Sequence, residues 1–167
     1  ARAIQMANAA VVRAAKEDPR LAGMGTTICA ARFSPNKQRL YVGHVGDSRV
    51  YRMRDGRLVQ MTKDHTMGDL GVTGEAAAHL SRALGIAPMV RIDLILAKPM
   101  PGDVYLLCSD GLTKMVPEPL VGRIIAESPP QMAVERLVDA ANSAGGTDNV
   151  TVILVRVERA IPSWAAA

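Results

Sequence analysis

The chain has 167 residues, 49% of them apolar and 22% charged, with a formal net charge of +4, which suits one domain with its own hydrophobic core. Its basic residues are scattered and only 3% of residues are aromatic, so the clustered footprint of a nucleic-acid binder is missing. No apolar run approaches the length of a membrane span, and the first residues do not form a signal peptide.

Residues 2–17 place Ile4, Ala7, Val11, Ala14 and Ala15 at helical spacing before Asp18-Pro19 stops the run, which predicts an amphipathic helix. After the flexible Gly23-Met24-Gly25, strands are expected over 26–33, 39–45, 49–54 and 57–61. They are separated by Ser34-Pro35-Asn36, Gly46-Asp47-Ser48 and the hairpin signal Asp55-Gly56. Four short strands in succession predict an antiparallel meander. A short helix or helical turn is expected over 74–84, closed by Gly85, then strands over 90–97 and 104–109. Helices over 117–127 and 130–142 each begin with proline, and 150–157 is a long apolar strand. Residues 159–167 form a tail expected to be frayed. Cys29 and Cys108 lie in apolar runs without CxxC or histidine partners, the pattern of buried reduced thiols in a cytosolic protein. The element order predicts an α+β sandwich.

Asp47, Asp110 and Asp148 each lie where an apolar strand ends or begins, with glycine within two positions. If those strand ends meet at one edge, they assemble hard oxygen ligands without histidine or cysteine. Such a set suits Mg²⁺ or Mn²⁺ rather than zinc or copper. Aspartate beside glycine is also ordinary turn chemistry; Asp55 and Asp103 are assigned to turns on that ground.

The ordered series Gly25-Thr26-Thr27, Val42-Gly43-His44-Val45-Gly46-Asp47-Ser48-Arg49, Thr62-Lys63-Asp64-His65, Ser81-Arg82-Ala83-Leu84-Gly85, Leu107-Cys108-Ser109-Asp110-Gly111-Leu112 and Gly146-Thr147-Asp148-Asn149-Val150-Thr151 closely resembles the metal-dependent type 2C Ser/Thr protein phosphatases, the PPM family, in their bacterial form. The resemblance implies a four-layer sandwich of two antiparallel β-sheets flanked by helices, with residues 1–158 as the catalytic domain. It implies a pair of Mn²⁺ or Mg²⁺ ions, and hydrolysis of phosphoserine and phosphothreonine on proteins by metal-bound water. By the same resemblance Asp110 and Asp148 are metal ligands, Asp47 is the ligand of a third, weaker ion, and Asn149 supports Asp148 from behind. Thr27 is equally well read as a packing residue. Arg49, Arg82 and His79 are candidates for contact with the substrate phosphate, with structural ion pairs the alternative for the two arginines. His44 reads as a core or edge residue and His65 as a turn cap; no general acid is assigned.

Two departures accompany the resemblance. The family opens with an arginine-bearing acidic strand and an Asp-Gly-x-Gly-Gly motif whose aspartate bridges two metals, and neither is in this sequence. The stretch between His65 and Ser81, where the family carries a mobile flap, is short. The expectation is that residues are missing at both places, leaving the catalytic domain and its first strands incomplete; a polypeptide truly starting at Ala1 would bind metal weakly. The function expected is a cytoplasmic, monomeric phosphatase acting on phosphoproteins made by a Ser/Thr kinase. The alternatives are a non-catalytic regulatory or binding module with the same fold, and a phosphatase of a stress-response or sporulation regulator.

Overall fold

The computed structural model of the protein describes residues 1–158; the expected fraying of 159–167 lies outside them. Helix α1 (Arg2–Glu17) is followed by strands β1 (Ile28–Phe33), β2 (Leu40–Val45), β3 (Arg49–Arg54) and β4 (Arg57–Gln60). Then come β5 (Asp93–Ala97), β6 (Val104–Cys108), the single turn α2 (Asp110–Thr113), α3 (Glu118–Glu127), α4 (Pro130–Ser143) and β7 (Val152–Arg156). The strands form two antiparallel sheets, ordered β1-β2-β5 and β4-β3-β6-β7.

The period-2 alternation of side chains sorts the residues of each strand between layers. In β6, Tyr105 and Leu107 face the other sheet, where they meet Leu40, Val42 and Ile95. Val104, Leu106 and Cys108 face α3 and α4 and pack with Ile124, Ile125, Ala133 and Leu137. All five residues of β6 are buried, which explains its unbroken apolar sequence. Each fully buried Leu or Ile here contributes about 1.5–3 kcal/mol. Phe33 and Tyr105 meet edge-on between the sheets, centroids 6.3 Å apart. Burial pushes the Cys108 thiol up to about 12, so it stays protonated and inert.

Helix α1 packs Ile4 beside Val45 and Leu84. Its buried Asn8 accepts the Gly85 N–H at 2.9 Å and donates to the Ala87 carbonyl at 2.9 Å. The layers are thus α1, the three-stranded sheet, the four-stranded sheet, and α3 with α4. A cleft of ≈ 880 Å³ runs between α1 and the outer face of the smaller sheet, and none of Asp47, Asp110 and Asp148 lines it.

One expectation fails. The first four strands are not one meander: β1-β2 and β3-β4 are hairpins in different sheets. Alternation tells which residues of a strand share a face, but not which sheet the strand joins. Of the short helix or helical turn expected over 74–84, the turn forms, as a single 3₁₀ turn over Glu75–Ala78. None of its residues is buried, so no packing offsets the ordering cost of a short helix. Beyond it the chain runs extended, with Leu80 bridged to Thr66 and the Ser81 N–H donating to the His65 carbonyl at 2.8 Å.

Candidate metal centre

Three loops at one end of the sheets carry the candidate ligands. Asp110 opens α2 immediately beyond β6, with Ser109 at the N-cap. Asp148 lies on the loop between α4 and β7. The two are brought together by backbone packing. A Cβ on Gly111 would stand 2.4 Å from the Asn149 carbonyl oxygen, so only glycine lets the two loops approach this closely. Ser109 locks the junction, its Oγ donating to the Asn149 carbonyl at 3.0 Å and accepting the Thr151 N–H at 2.9 Å. Asn149 acts through its main chain: its carbonyl accepts from Ser109, and its N–H donates to Asp148 Oδ1 at 2.7 Å.

One cation sits at this junction. The Lys114 ammonium pairs with Asp110 one helical turn away and lies 3.9 Å from Asp148 Oδ2. The Asp110 hydrogen bond and the charges of Asp110, Asp47 and Asp148 raise the lysine's pKa. Lys114 was not singled out from the sequence, although Asp-x-x-x-Lys spacing on a helix is a readable signal.

Asp47 sits on the crossing between the sheets. Gly46 takes φ +111 there, and a Cβ on it would fall 2.3 Å from Thr27 Cγ2. Thr27 also shares a 2.8 Å hydrogen bond between its Oγ1 and Ser48 Oγ, so it packs and clamps the crossing. Burial and the charge of Asp110 raise the Asp47 carboxyl above the usual carboxylate range. Three carboxylates thus share one field.

The two arginines are engaged elsewhere. Arg49 Nε lies 3.0 Å from Asp64 Oδ1, its Nη2 2.8 Å from Asp64 Oδ2, and its Nη1 2.9 Å from the Tyr51 hydroxyl. Arg82 donates to Asp93 Oδ1 at 2.8 Å and to the Arg91 carbonyl at 3.2 Å. His79 is exposed after the 3₁₀ turn. His65 does not cap a turn with its ring: Nδ1 accepts the Gly46 N–H at 3.0 Å.

In donor chemistry the site fits a hard dication: the carboxylates are all oxygen, they repel one another, and Lys114 already stands between two of them. Among the described residues, however, no group of three or more His, Cys, Asp and Glu side chains is disposed to hold a metal ion.

The family model described as Stage II sporulation protein E matches residues 1–158. The chain is 37% identical over 165 residues to the serine/threonine protein phosphatase PstP of Mycobacterium tuberculosis, covering 93% of this chain and 32% of that protein. It is 37% identical over 164 residues to the serine/threonine phosphatase stp of Listeria welshimeri, covering 91% of this chain and 64% of that protein. The chain thus spans less than two thirds of these relatives. The PstP catalytic domain, solved in complex with two manganese ions, superposes with a TM-score of 0.85 at 37% identity, covering 95% of this chain and 70% of that one.

Proposed function

The chain belongs to the metal-dependent type 2C Ser/Thr protein phosphatases of bacterial type, the PPM family, and we propose that it hydrolyses phosphoserine and phosphothreonine on proteins with Mn²⁺ or Mg²⁺ held at Asp110 and Asp148. The observation that carries this reading is the Gly111–Asn149 contact, which forces two carboxylates from loops remote in sequence against one cation. When bound, such an ion supplies Lewis acidity, activating water and neutralising phosphoryl charge. Asp110 and Asp148 would hold the ion and Asp47 a weaker additional one, while Asn149 and Ser109 keep the Asp148 loop in place. Lys114 is the tethered cation that a dication would replace beside Asp110 and Asp148. Arg49 and Arg82, each paired with an aspartate, shape the surrounding loops. The partners are phosphoproteins produced by a Ser/Thr kinase, and the setting is cytoplasmic. Regulators of a stress response or of sporulation are further candidate substrates, and the sporulation name of the matching family model supports the latter.

A second reading, a non-catalytic module with this fold, is favoured by the lack of a three-member ligand group among the described residues. One experiment separates the two. The intact protein is titrated with Mn²⁺ by calorimetry and assayed on a phosphothreonine peptide before and after chelation. Mn²⁺ binding with hydrolysis that chelation abolishes and Mn²⁺ restores is the expected result. Neither binding nor hydrolysis leaves the non-catalytic reading.

A further inference from the structure

The crossing that carries Asp47 is held by a side chain outside the carboxylate cluster. His65 is buried, with 2% of its side chain exposed, and grips Gly46 twice. Its backbone N–H donates to the Gly46 carbonyl at 2.9 Å, and its Nδ1 accepts the Gly46 N–H at 3.0 Å. On the far side of the ring, Nε2 lies 3.1 Å from Asp93 Oδ2, and the other Asp93 oxygen accepts from Arg82 at 2.8 Å. A backbone N–H can only donate, so Nδ1 carries no proton and Nε2–H donates to Asp93. His44 packs against the ring: it is fully buried, its centroid is 4.7 Å from that of His65, and among the described residues neither of its nitrogens has a hydrogen-bond partner.

We propose that His65 is a positioning residue of the candidate centre, and that Asp93 with Arg82 orients it. Asp93 fixes the imidazole tautomer, the tautomer fixes the direction of the Gly46 peptide, and that peptide aims the carboxylate of Asp47. Nε2 binding to a carboxylate while Nδ1 serves the site is the logic by which outer partners set a histidine's tautomer elsewhere. The inference rests on the reading of Asp47 as a metal ligand.

Three substitutions separate the hydrogen bond from mere space-filling. His65→Asn keeps an acceptor where Nδ1 was and loses the reach to Asp93. His65→Gln keeps that reach but puts no acceptor at Gly46, and His65→Ala removes both. In the intact protein the Gly46 amide is followed by hydrogen exchange, and Mn²⁺ binding by calorimetry with Asp47→Asn as the reference. We expect His65→Ala and His65→Gln to lose Gly46 protection and to weaken the Asp47-dependent Mn²⁺ event about tenfold, the lower end for outer partners of ligands. His65→Asn should restore both. Equal behaviour of the Asn and Gln variants overturns the proposal, as does full Gly46 protection in His65→Ala. Should the variants fail to fold, the imidazole ¹⁵N shifts of the wild-type protein decide: a protonated Nδ1 on His65 overturns the proposal, and a protonated Nε2 that Asp93→Asn redistributes supports it. If wild-type protein binds no Mn²⁺, the metal reading fails, while the exchange and tautomer measurements still judge the clamp.

Discussion

Strand β6 has an aspartate near each end, and the two meet opposite fates. Asp103, just before the strand, is 1% exposed and accepts from four donor atoms: Arg54 Nε at 2.6 Å, Arg54 Nη2 at 2.7 Å, the Met100 N–H at 2.8 Å and the Tyr105 hydroxyl at 3.1 Å. Asp110, just beyond it, keeps a quarter of its side chain exposed and has one cation, Lys114, for company. Other carboxylates face it instead. A buried carboxylate with its donors complete is a structural rivet, and a clustered one short of cations is a candidate ligand.

The largest expected effect separates the two ends most sharply. Asp110→Asn should lower Mn²⁺-dependent hydrolysis of p-nitrophenyl phosphate at least about a hundredfold, beyond what outer partners of ligands cost, while the melting temperature stays near that of the wild type. Full retained activity would sink the ligand assignment. Asp103→Ala should do the reverse. Stranding Arg54 and the Tyr105 hydroxyl should remove about 3 kcal/mol of stability, seen in urea unfolding, with activity per folded molecule unchanged.

The same contrast has a pH signature. Burial raises the Asp103 carboxyl, but Arg54, the Met100 amide and Tyr105 outweigh it, and the net shift is downward. A carboxyl depressed on folding stabilises above its unfolded pKa of about 3.9 and loses that contribution as pH falls through the folded value. Stability should therefore drop below about pH 4, and Asp103→Asn should flatten that slope. An unchanged acid limb would remove Asp103 from the explanation.

Gly111→Ala tests whether backbone packing, rather than ion pairing, holds the opposite end. With its Cβ 2.4 Å from the Asn149 carbonyl, the variant should lose about 1–3 kcal/mol and bind Mn²⁺ more weakly than wild type. A stable variant with normal Mn²⁺ affinity would argue that the loops can separate harmlessly. The smallest effect belongs to Lys114→Gln. Removing a half-exposed competing cation should tighten Mn²⁺ by about two- to fivefold, the range of surface ion pairs; weaker binding would show that Lys114 supports the ion instead.

Much of the architecture was legible. Helix α1 keeps its anticipated limits, α3 and α4 begin beside their prolines, and β6 stands out as a continuous apolar run. The carboxylates Asp110 and Asp148 were legible through their neighbouring glycines, although the grouping rests on Gly111 meeting Asn149, which local pattern does not report. Asp103 was read as a turn residue because it follows Gly102; its burial depends on Arg54 reaching across from β3. His65 hid in a similar way, its ring serving a loop 19 residues earlier.

What the sequence by itself determined is element type and the placing of aspartates at strand ends, because periodicity and Gly-Asp punctuation are local properties of the chain. Tertiary structure alone decided which aspartate becomes a rivet and which faces its own kind. That choice is made by contacts between residues 49 apart in the Arg54–Asp103 pair and 40 apart in the Ser109–Asn149 lock. The free energy of a carboxylate is set by the charges and donors around it in space, not by its neighbours along the chain.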